Sequence, residues 1–488
     1  MESAILDQKE ILEGNGANRT KDLKKRVKKY VVEYCEVSTI NGLSHLIRQN
    51  PVTVRLWWLV IFILCVSGSV IMIFQICDKW STTPVLVSLA TNEKSISEIP
   101  FPAVTICPES RISTKCVNYT KILLARQNGD LSNTTFEENK YYDYLALLCR
   151  AENHVKNLQL INRTRSELFK EPLPEGEEDM YPSDFRMNDF TDFLMDCASI
   201  KLNDSFCQWM GVNQPCEDLM TPILTDEGLC YSFNMFDVRE IFSDVNQMKY
   251  FGGRSEKKAN WDPDWGYPNF VSDDDYPRRT FLNGAKNAFV AVFLTRKDQI
   301  DYACRDFSLQ GMRVSFNIPT RIPRPSQVFF SVGLNSLTTA AVNPFLTSVR
   351  ETIKNYEAHE RNCFFSNERK LKYFKIYSQG NCNLECLTNY TIHYCGCVHY
   401  YMPRDNQTRI CSLQERQCLV EARVTYPQAV LSERLWARSE KEPRFRMNCD
   451  CLPVCTDLVY EAEITTGEWD FNNPDEAAFD AQKDYIDQ

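Results

Sequence analysis

Residues 381–403, NCNLECLTNYTIHYCGCVHYYMP, and residues 449–455, CDCLPVC, hold seven of the ten cysteines of one segment. The full set is Cys363, Cys382, Cys386, Cys395, Cys397, Cys411, Cys418, Cys449, Cys451 and Cys455. The spacing is loosely mirrored, with a CxxxC pair on entry and a CxCxxxC cluster on exit. A nested set of disulfides that ties two antiparallel segments together would satisfy this pattern. The alternative is a zinc module, because His393 and His399 flank Cys395 and Cys397.

The compartment of this segment follows from a long apolar run, LWWLVIFILCVSGSVIMIFQIC, at residues 56–77. Its 22 uncharged residues can cross a bilayer core of about 30 Å as one helix. Trp57 and Trp58 stand at its start, where amphipathic rings favour the membrane interface. The run lies too deep in the chain and is too long for a cleaved signal peptide. We therefore expect a transmembrane helix at residues 56–77.

Three features orient this span with the N-terminus in the cytoplasm. The basic run KDLKKRVKK at residues 21–29 precedes it, and it could form a helix along the inner leaflet or be a solvated charge run. Eighteen of the 21 cysteines follow the span, an even number as full pairing requires. Six N-glycosylation sequons also follow it, at Asn118, Asn133, Asn162, Asn203, Asn389 and Asn406. An oxidising exterior favours disulfides over zinc for the cysteine-rich segment.

The order of patterns along the chain predicts an α+β fold. Residues 141–161 have a helical period, and residues 339–360 are predicted to return to a helix before Cys363. Short strands are predicted in residues 287–295, 312–320 and 327–334, and alternation predicts another at residues 458–465. Prolines exclude a helix from IPFPAVTICP, residues 99–108, and suit an edge strand or the ends of a strand.

Enzyme chemistry finds no support in the sequence. The five histidines form no HExxH or triad-like arrangement, and no P-loop or GxSxG is present. Acidic clusters at residues 175–179 and 273–275 could sense protons or bind calcium, but solvated loop charges are the favoured interpretation. We expect no nucleic-acid partner and no cofactor.

Several motifs in fixed order resemble the degenerin/epithelial sodium channel superfamily, and within it the insect pickpocket branch. They are IPFPAVTICP after the span, CQWMG at 207–211, GLCYSFN at 228–234, residues 381–403, and CDCLPVCTDLVYEAE at 449–463. The resemblance covers roughly residues 35–465. It implies a trimeric, sodium-selective, amiloride-sensitive channel at the plasma membrane, formed by homo- or heterotrimers of related subunits. It also implies an extracellular region shaped like a hand, with a β-sheet palm and a helical finger and thumb.

The resemblance also implies the cysteine pairs. The nested thumb pairs are Cys363–Cys455, Cys382–Cys451, Cys386–Cys449, Cys395–Cys418 and Cys397–Cys411. The palm and the knuckle or finger would add Cys107–Cys230 and Cys207–Cys216. Cys116, Cys149, Cys197 and Cys304 remain, and three pairings are open to them.

The resulting domain prediction places a cytoplasmic segment at residues 1–55, the span at 56–77 and an extracellular region at 78–488. The extracellular region divides into palm strands (84–110), finger and knuckle (111–235), ball and palm strands (236–335), a cysteine-rich thumb (336–456), and a last palm strand with an acidic tail (457–488).

Two departures from the family pattern bear on function. The family carries a His-Gly pair before the first span, linked to gating, and Asn41-Gly42 stands at that position. Residues 456–488 contain ten acidic residues and one lysine, so they do not supply the family's second span. We therefore expect either a channel subunit that here lacks that span or a single-pass regulatory or ligand-binding partner of complete subunits. A downstream apolar span in the transcript would favour the first.

Overall fold

The computed structural model describes most of the chain, with gaps. The described residues are 23–35, 37–38, 51–82, 93–127, 135–149, 187–246, 258–268, 275–304, 310–412, 415–436 and 449–469. Asn41-Gly42, the sequons at Asn133 and Asn162, residues 175–179 and residues 470–488 lie outside them. The chain divides into two compact units, residues 1–88 and 89–488, which we describe separately.

The first unit contains two helices, α1 over residues 23–35 and α2 over Val52–Thr82. The 31 residues of α2 extend about 46 Å, more than the thickness of a bilayer core. Its apolar side chains are exposed on all sides, and none of its most apolar stretch is buried within the protein. In the part of the chain that the structure describes, α2 is the one helix long and apolar enough to cross a membrane. It contains the predicted span and extends beyond it at both ends.

The second unit is built on a five-stranded antiparallel sheet with the order β4-β5-β1-β7-β8. Its strands are β1 (Ala103–Pro108), β4 (Met220–Thr225), β5 (Gly228–Phe233), β7 (Met312–Asn317) and β8 (Phe330–Val332). β1 is the central strand, paired with both β5 and β7. The prolines lie just before it and at its last residue, so they limit the strand without interrupting its ladder.

A smaller sheet and a long ribbon complete the β structure of the described residues. The three-stranded sheet has the order β3-β2-β6, with β2 at Phe206–Trp209, β3 at Val212–Pro215 and β6 at Phe289–Val292. The ribbon pairs β9 (Ser336–Thr347) with β10 (Asp457–Glu468) over twelve residues of each strand. The short strands predicted in residues 287–295, 312–320 and 327–334 are confirmed in β6, β7 and β8, and the strand predicted from alternation is confirmed in β10.

The predicted helix over residues 339–360 is wrong. Residues up to Thr347 belong to β9, and only two short helical segments follow, at Glu351–Asn355 and Ala358–Arg361. Pro344 would remove a hydrogen bond from a helix interior, at a cost of about 3 kcal/mol, whereas here it pairs with Tyr460. The run also alternates partly buried and exposed positions with a strand period.

Eight further helices lie in the second unit among the described residues. They are α3 (Tyr119–Gln127), α4 (Phe136–Leu148), α5 (Met187–Asp196), α6 (Cys216–Leu219), α7 (Val238–Ile241), α8 (Ala358–Arg361), α9 (Gln379–Cys395) and α10 (Arg416–Trp436). The helix predicted at 141–161 corresponds to α4, which begins earlier, because Thr135 and Glu138 form a capping box at its N-terminus, and ends at Leu148. Residues 150–161 lie outside the described residues. One core joins the central strands to buried side chains of α3, α4, α5 and α9.

Candidate functional site: the disulfide-bonded block

All eighteen cysteines of the second unit are in disulfide bonds, and the three others, Cys35, Cys65 and Cys77, lie in the first unit. Five bonds cross the segment from residue 363 to residue 455, which we call the disulfide block. They are Cys363–Cys455, Cys382–Cys451, Cys386–Cys449, Cys395–Cys418 and Cys397–Cys411. These are the pairs that the resemblance implies.

The middle of the block depends on α9. Ser378 caps this helix by accepting a hydrogen bond from the Asn381 N–H at 3.1 Å, and Gly396 ends it in the left-handed conformation. Cys382 and Cys386 lie one helical turn apart, so their side chains leave the same face of α9. Both sulfurs therefore reach the single segment at residues 449–451.

The sulfurs of the block do not form a metal site in this arrangement. The sulfurs of Cys382, Cys386 and Cys451 lie within 4.8 Å of one another, as zinc ligands could. However, Cys382 is bonded to Cys451 and Cys386 to Cys449, so none is a thiolate. His399 packs against the rings of its neighbours, 4.4 Å from Tyr400 between ring centroids.

The helices α9 and α10 of the block pack against each other. The Cys395–Cys418 bond joins the end of α9 to the beginning of α10. The hydroxyls of Tyr390 and Thr425 lie 3.0 Å apart, and the rings of Tyr390 and Tyr426 are 5.7 Å apart. A covalent bond at one end and aromatic packing further along together resist separation of the two helices.

The base of the block continues directly into the β9–β10 ribbon. The Phe364 N–H donates to the Pro453 carbonyl at 3.0 Å, and the Cys455 N–H donates to the Phe364 carbonyl at 2.9 Å. Cys363–Cys455 closes the same two segments covalently, only two residues before β10 begins at Asp457. A displacement of the block is thus carried by backbone bonds and one disulfide into the ribbon.

Buried side chains of α9 bond the backbone that follows β7 and the loop that precedes α9. Asn381 is fully buried and bonds the backbone that follows β7, at Thr320 and Ile322. The Glu385 carboxylate accepts hydrogen bonds from the N–H groups of Lys372 and Tyr373 at 3.0 and 2.9 Å. Since these partners are backbone groups, the helix cannot shift without leaving buried polar groups unpaired.

A second attachment joins the block to the segment that contains α7. The Lys375 N–H donates to the Ile241 carbonyl at 2.8 Å, and the Ser243 N–H donates to the Tyr373 carbonyl at 3.0 Å. The rings of Phe242 and Phe374 stack between these bonds at 5.1 Å.

One carboxyl group of this region has a raised pKa. Asp264 accepts hydrogen bonds from the Ser366 N–H at 2.8 Å and from the Ser366 hydroxyl at 2.6 Å. Burial raises its pKa above the ordinary value, because removal from water disfavours the charged form more than these two bonds favour it. Asp264 therefore joins the loop at residues 258–268 to the base of the block.

A buried network of ion pairs, which was not predicted from the sequence, lies at the end of β1. Arg313, on β7, makes a bidentate pair with Glu109 at 2.7 and 3.2 Å and lies 3.3 Å from a carboxylate oxygen of Glu227. Arg111 pairs with the same Glu227. All four side chains are at most 5% exposed. Removing one partner from such a network costs about 3–5 kcal/mol, because it leaves a buried charge unpaired.

The network joins the end of β1, the turn between β4 and β5, and strand β7. Glu227 lies in the tight turn between β4 and β5, where Gly228 has a φ of +97° and an added Cβ would lie 2.7 Å from Leu148. The one sign of this network in the sequence was Arg313, a charged residue within the strand-forming run MRVSFN.

Asp275, one residue of the acidic cluster at 273–275, differs from the favoured interpretation of solvated loop charges. Asp275 is 7% exposed, pairs with Arg279 and accepts a hydrogen bond from the Asn260 amide at 2.6 Å. It is therefore a buried structural charge and not a solvated loop carboxylate. Asp273 and Asp274 lie outside the described residues.

The four cysteines left open by the sequence pair as Cys116–Cys197 and Cys149–Cys304. The first bond joins the residues before α3 to the end of α5, and the second joins the end of α4 to the loop before β7. Cys107–Cys230 joins β1 to β5, and Cys207–Cys216 joins β2 to α6.

Four of the six predicted glycosylation sites lie among the described residues. The side chains of Asn118, Asn203, Asn389 and Asn406 are all exposed. Their positions on the surface of the second unit are compatible with attached glycans.

An apolar helix of bilayer length together with a disulfide-rich unit of mixed helices and sheets defines a membrane protein with a large oxidised region. A model of the amiloride-sensitive sodium channel family matches residues 34–487. The chain belongs to this family, which confirms the resemblance seen in the motifs. Members of the family are ion channels and not enzymes.

Three curated relatives from Drosophila melanogaster illustrate the similarity. Pickpocket protein 28 is 25% identical over 457 residues, which are 90% of this chain and 65% of that protein. Sodium channel protein Nach is 21% identical over 445 residues, 91% of this chain and 74% of that protein. Pickpocket protein 11 is 23% identical over 429 residues, 88% of this chain and 59% of that protein. The chain thus spans less than two-thirds of the length of the two pickpocket proteins.

Proposed function

We propose that the chain is a subunit of a sodium-selective, amiloride-sensitive channel of the plasma membrane. Membership of the family over residues 34–487 supports this, as do relatives whose names include a sodium channel protein. In this proposal the subunit forms the channel as a homo- or heterotrimer with related chains. The gating stimulus is a ligand, protons or force.

The proposed orientation has the N-terminus in the cytoplasm and residues 78–488 outside the cell. Nine disulfides in the second unit support an oxidising compartment for it. The basic helix α1, which precedes α2 in the chain, supports a cytoplasmic flank.

The observation that carries the proposed mechanism is the continuity from the disulfide block into β10. Five disulfides stiffen the block, and backbone hydrogen bonds at its base pass into the ribbon within two residues. A cross-linked lever transmits a displacement that a soft one would absorb. We assign the disulfide block, residues 363–455, the role of the thumb, and the five-stranded sheet and the ribbon the role of the palm. The thumb predicted at residues 336–456 begins later in this assignment, because residues 336–347 form β9 of the ribbon.

Recording sodium current tests the proposal. The product of the gene's complete transcript is expressed in cultured cells, alone and with a related subunit, and its surface level is measured by biotinylation. We expect an inward current that amiloride blocks and that disappears when sodium is replaced by a large organic cation. Surface protein without any such current, alone or in combination, would refute the channel proposal.

The same experiment separates the alternative, a single-pass regulatory partner of complete subunits. A regulator would carry no current by itself and would change the size or the amiloride sensitivity of the current of its partner. A subunit of the pore would instead change ion selectivity when residues of the pore are substituted.

A further inference from the structure

Four cysteines of the disulfide block lie together at the N-terminal half of α9. Their two bonds, Cys382–Cys451 and Cys386–Cys449, join this helix to residues 449–451. The sulfurs of Cys382, Cys386 and Cys451 all lie within 4.8 Å of one another. We call the four side chains the sulfur cluster. Reduction of both bonds would therefore release four thiols at one place.

The spacing of the sulfur cluster fits a tetrahedral metal ion. Zinc binds cysteine sulfurs at about 2.3 Å, so the four sulfurs of such a site lie about 3.8 Å from one another. The sulfurs of Cys386 and Cys451, which are not bonded to each other, are 3.8 Å apart. Reduction would free each bonded pair to move apart towards the same spacing.

Two short stretches of backbone present all four sulfurs. Cys382 and Cys386 leave one face of α9, a helical turn apart. The Cys451 N–H donates to the Cys449 carbonyl at 2.8 Å, and this tight turn lets both side chains reach the same helix. Cys382 also lies in the first turn of α9, where the helix dipole favours an anionic group such as a thiolate.

The sulfur cluster is buried on its inner side and accessible at one residue. Cys382, Cys386 and Cys451 are 1%, 6% and 5% exposed and pack with the ring of Tyr377. Cys449 is only half-buried. A reductant can therefore reach the Cys386–Cys449 bond at the Cys449 sulfur, and the three buried sulfurs stay shielded from water.

We propose that the sulfur cluster is a redox-dependent zinc site, which holds two disulfides in an oxidising environment and one zinc ion after their reduction. Two molecules of a dithiol supply two electrons and two protons to each bond, which yields four thiols and two oxidised dithiols. Zinc then replaces the four thiol protons, which pass to water. The metal restores the link between α9 and residues 449–451 that reduction breaks. This inference goes beyond the proposed channel function and does not depend on ion conduction.

Alkylation of the reduced full chain tests the site. The purified protein is treated with rising concentrations of a phosphine, which reduces disulfides without adding thiols that compete for the metal. Free thiols are then alkylated in the presence of zinc or of a chelator and located by mass spectrometry. We expect zinc to protect the sulfur cluster from alkylation and the chelator to abolish that protection. The internal control is a set of cysteines that forms no comparable group of sulfurs among the described residues: Cys395, Cys397, Cys411 and Cys418.

Two double variants, each lacking one disulfide of the block, give the decisive comparison. Cys382→Ser with Cys451→Ser removes two sulfurs of the cluster, and Cys395→Ser with Cys418→Ser removes two sulfurs outside it. After reduction, cadmium is titrated into each as a probe for zinc, and the ultraviolet absorption of cadmium–thiolate bonds is measured. Loss of a group that only orients a metal ligand costs about 10–100-fold in affinity, so we expect loss of two ligands to weaken binding more than about 100-fold. The second variant should bind one cadmium ion as tightly as the parent.

Three results would overturn the proposal. Zinc might leave the sulfur cluster as reactive as the control cysteines, or the two double variants might lose cadmium equally. The two bonds might also stay oxidised at every phosphine concentration at which circular dichroism shows the chain to be folded. None of these measurements requires a current, so failure of the zinc site is distinguished from failure of the channel proposal.

Discussion

The amide side chain of Asn381 accepts a hydrogen bond from the backbone N–H of Ile322 at 3.1 Å, across 59 residues of sequence. Its nitrogen donates to the carbonyl of Thr320 at 3.2 Å, and the side chain is fully buried. Because Asn381 lies next to Cys382 in the first turn of α9, this one residue joins the first disulfide of the helix to the backbone after β7.

Replacing Asn381 by alanine should loosen this attachment. The change leaves the Ile322 N–H and the Thr320 carbonyl without partners, at a cost of about 1–3 kcal/mol for each buried group. We expect a lower melting temperature of the purified protein in thermal unfolding. Asn383→Ala is the matched control, since Asn383 is exposed on the same helix. Equal melting temperatures for the two variants would contradict the role of Asn381.

The ion pair of Asp405 with Lys372 should make stability depend on pH in the acid range. The hydrogen bond from Lys372 at 2.8 Å is the main cause that lowers the pKa of Asp405 from 3.8 to about 2, and Thr408 adds to it. A carboxyl whose pKa is lower in the folded state stabilises the fold above its unfolded pKa and loses that contribution as the pH falls through the folded one.

Asp405→Asn should therefore reduce the melting temperature at neutral pH, and the difference from the parent should shrink as the pH falls from about 4 to about 2. Lys372 is half exposed, so we expect a small effect. The control is Asp218→Asn, because Asp218 is an exposed residue on α6. A difference that stays constant with pH would contradict the ion-pair explanation.

The proposed orientation predicts which asparagines carry glycans. Treatment with a glycosidase should increase the electrophoretic mobility of the protein from animal cells. Single substitutions of Asn118, Asn203, Asn389 and Asn406 by glutamine should each remove one glycan. Asn18 begins a further sequon, Asn-Arg-Thr, that precedes the span, and Asn18→Gln should change nothing. In the fold the Thr120 hydroxyl of the first sequon donates to the buried Asp301, so we expect this glycan to be attached before folding. A glycan at Asn18 would reverse the assigned topology.

The sequence predicted those parts of the fold that local patterns determine. The span required only a run of apolar residues. β6, β7 and β8 required only short β-rich runs bounded by prolines and charges, and β10 required only a short alternating run. The strand β9 was predicted as a helix, because its partner β10 lies more than a hundred residues away in the chain. Pro344 within the run was the local signal against the helix.

The disulfide pattern shows a similar limit. The spacing of the ten cysteines in the block suits a nested set of bonds, and the resemblance to a family supplied their pairing. The bonds of Cys149 with Cys304 and of Cys116 with Cys197 close loops of 155 and 81 residues, and spacing alone does not distinguish them from the alternatives. The buried pair of Arg313 with Glu109 was missed for the same reason, since the two residues meet only when β1 and β7 align.

The most direct test of the account is the contribution of the Cys386–Cys449 bond to current. We compare two double variants. One carries Cys386→Ser and Cys449→Ser in the same chain, and the other carries Cys207→Ser and Cys216→Ser, which removes a bond outside the block. Each pair removes one disulfide, which stabilises a fold by about 2–4 kcal/mol. Amiloride-sensitive sodium current is measured for each and divided by the amount of protein at the cell surface. We predict that loss of the Cys386–Cys449 bond lowers the current per surface subunit more than loss of the other bond does. An unchanged current per surface subunit would contradict the claim that the disulfide block acts as a stiff lever.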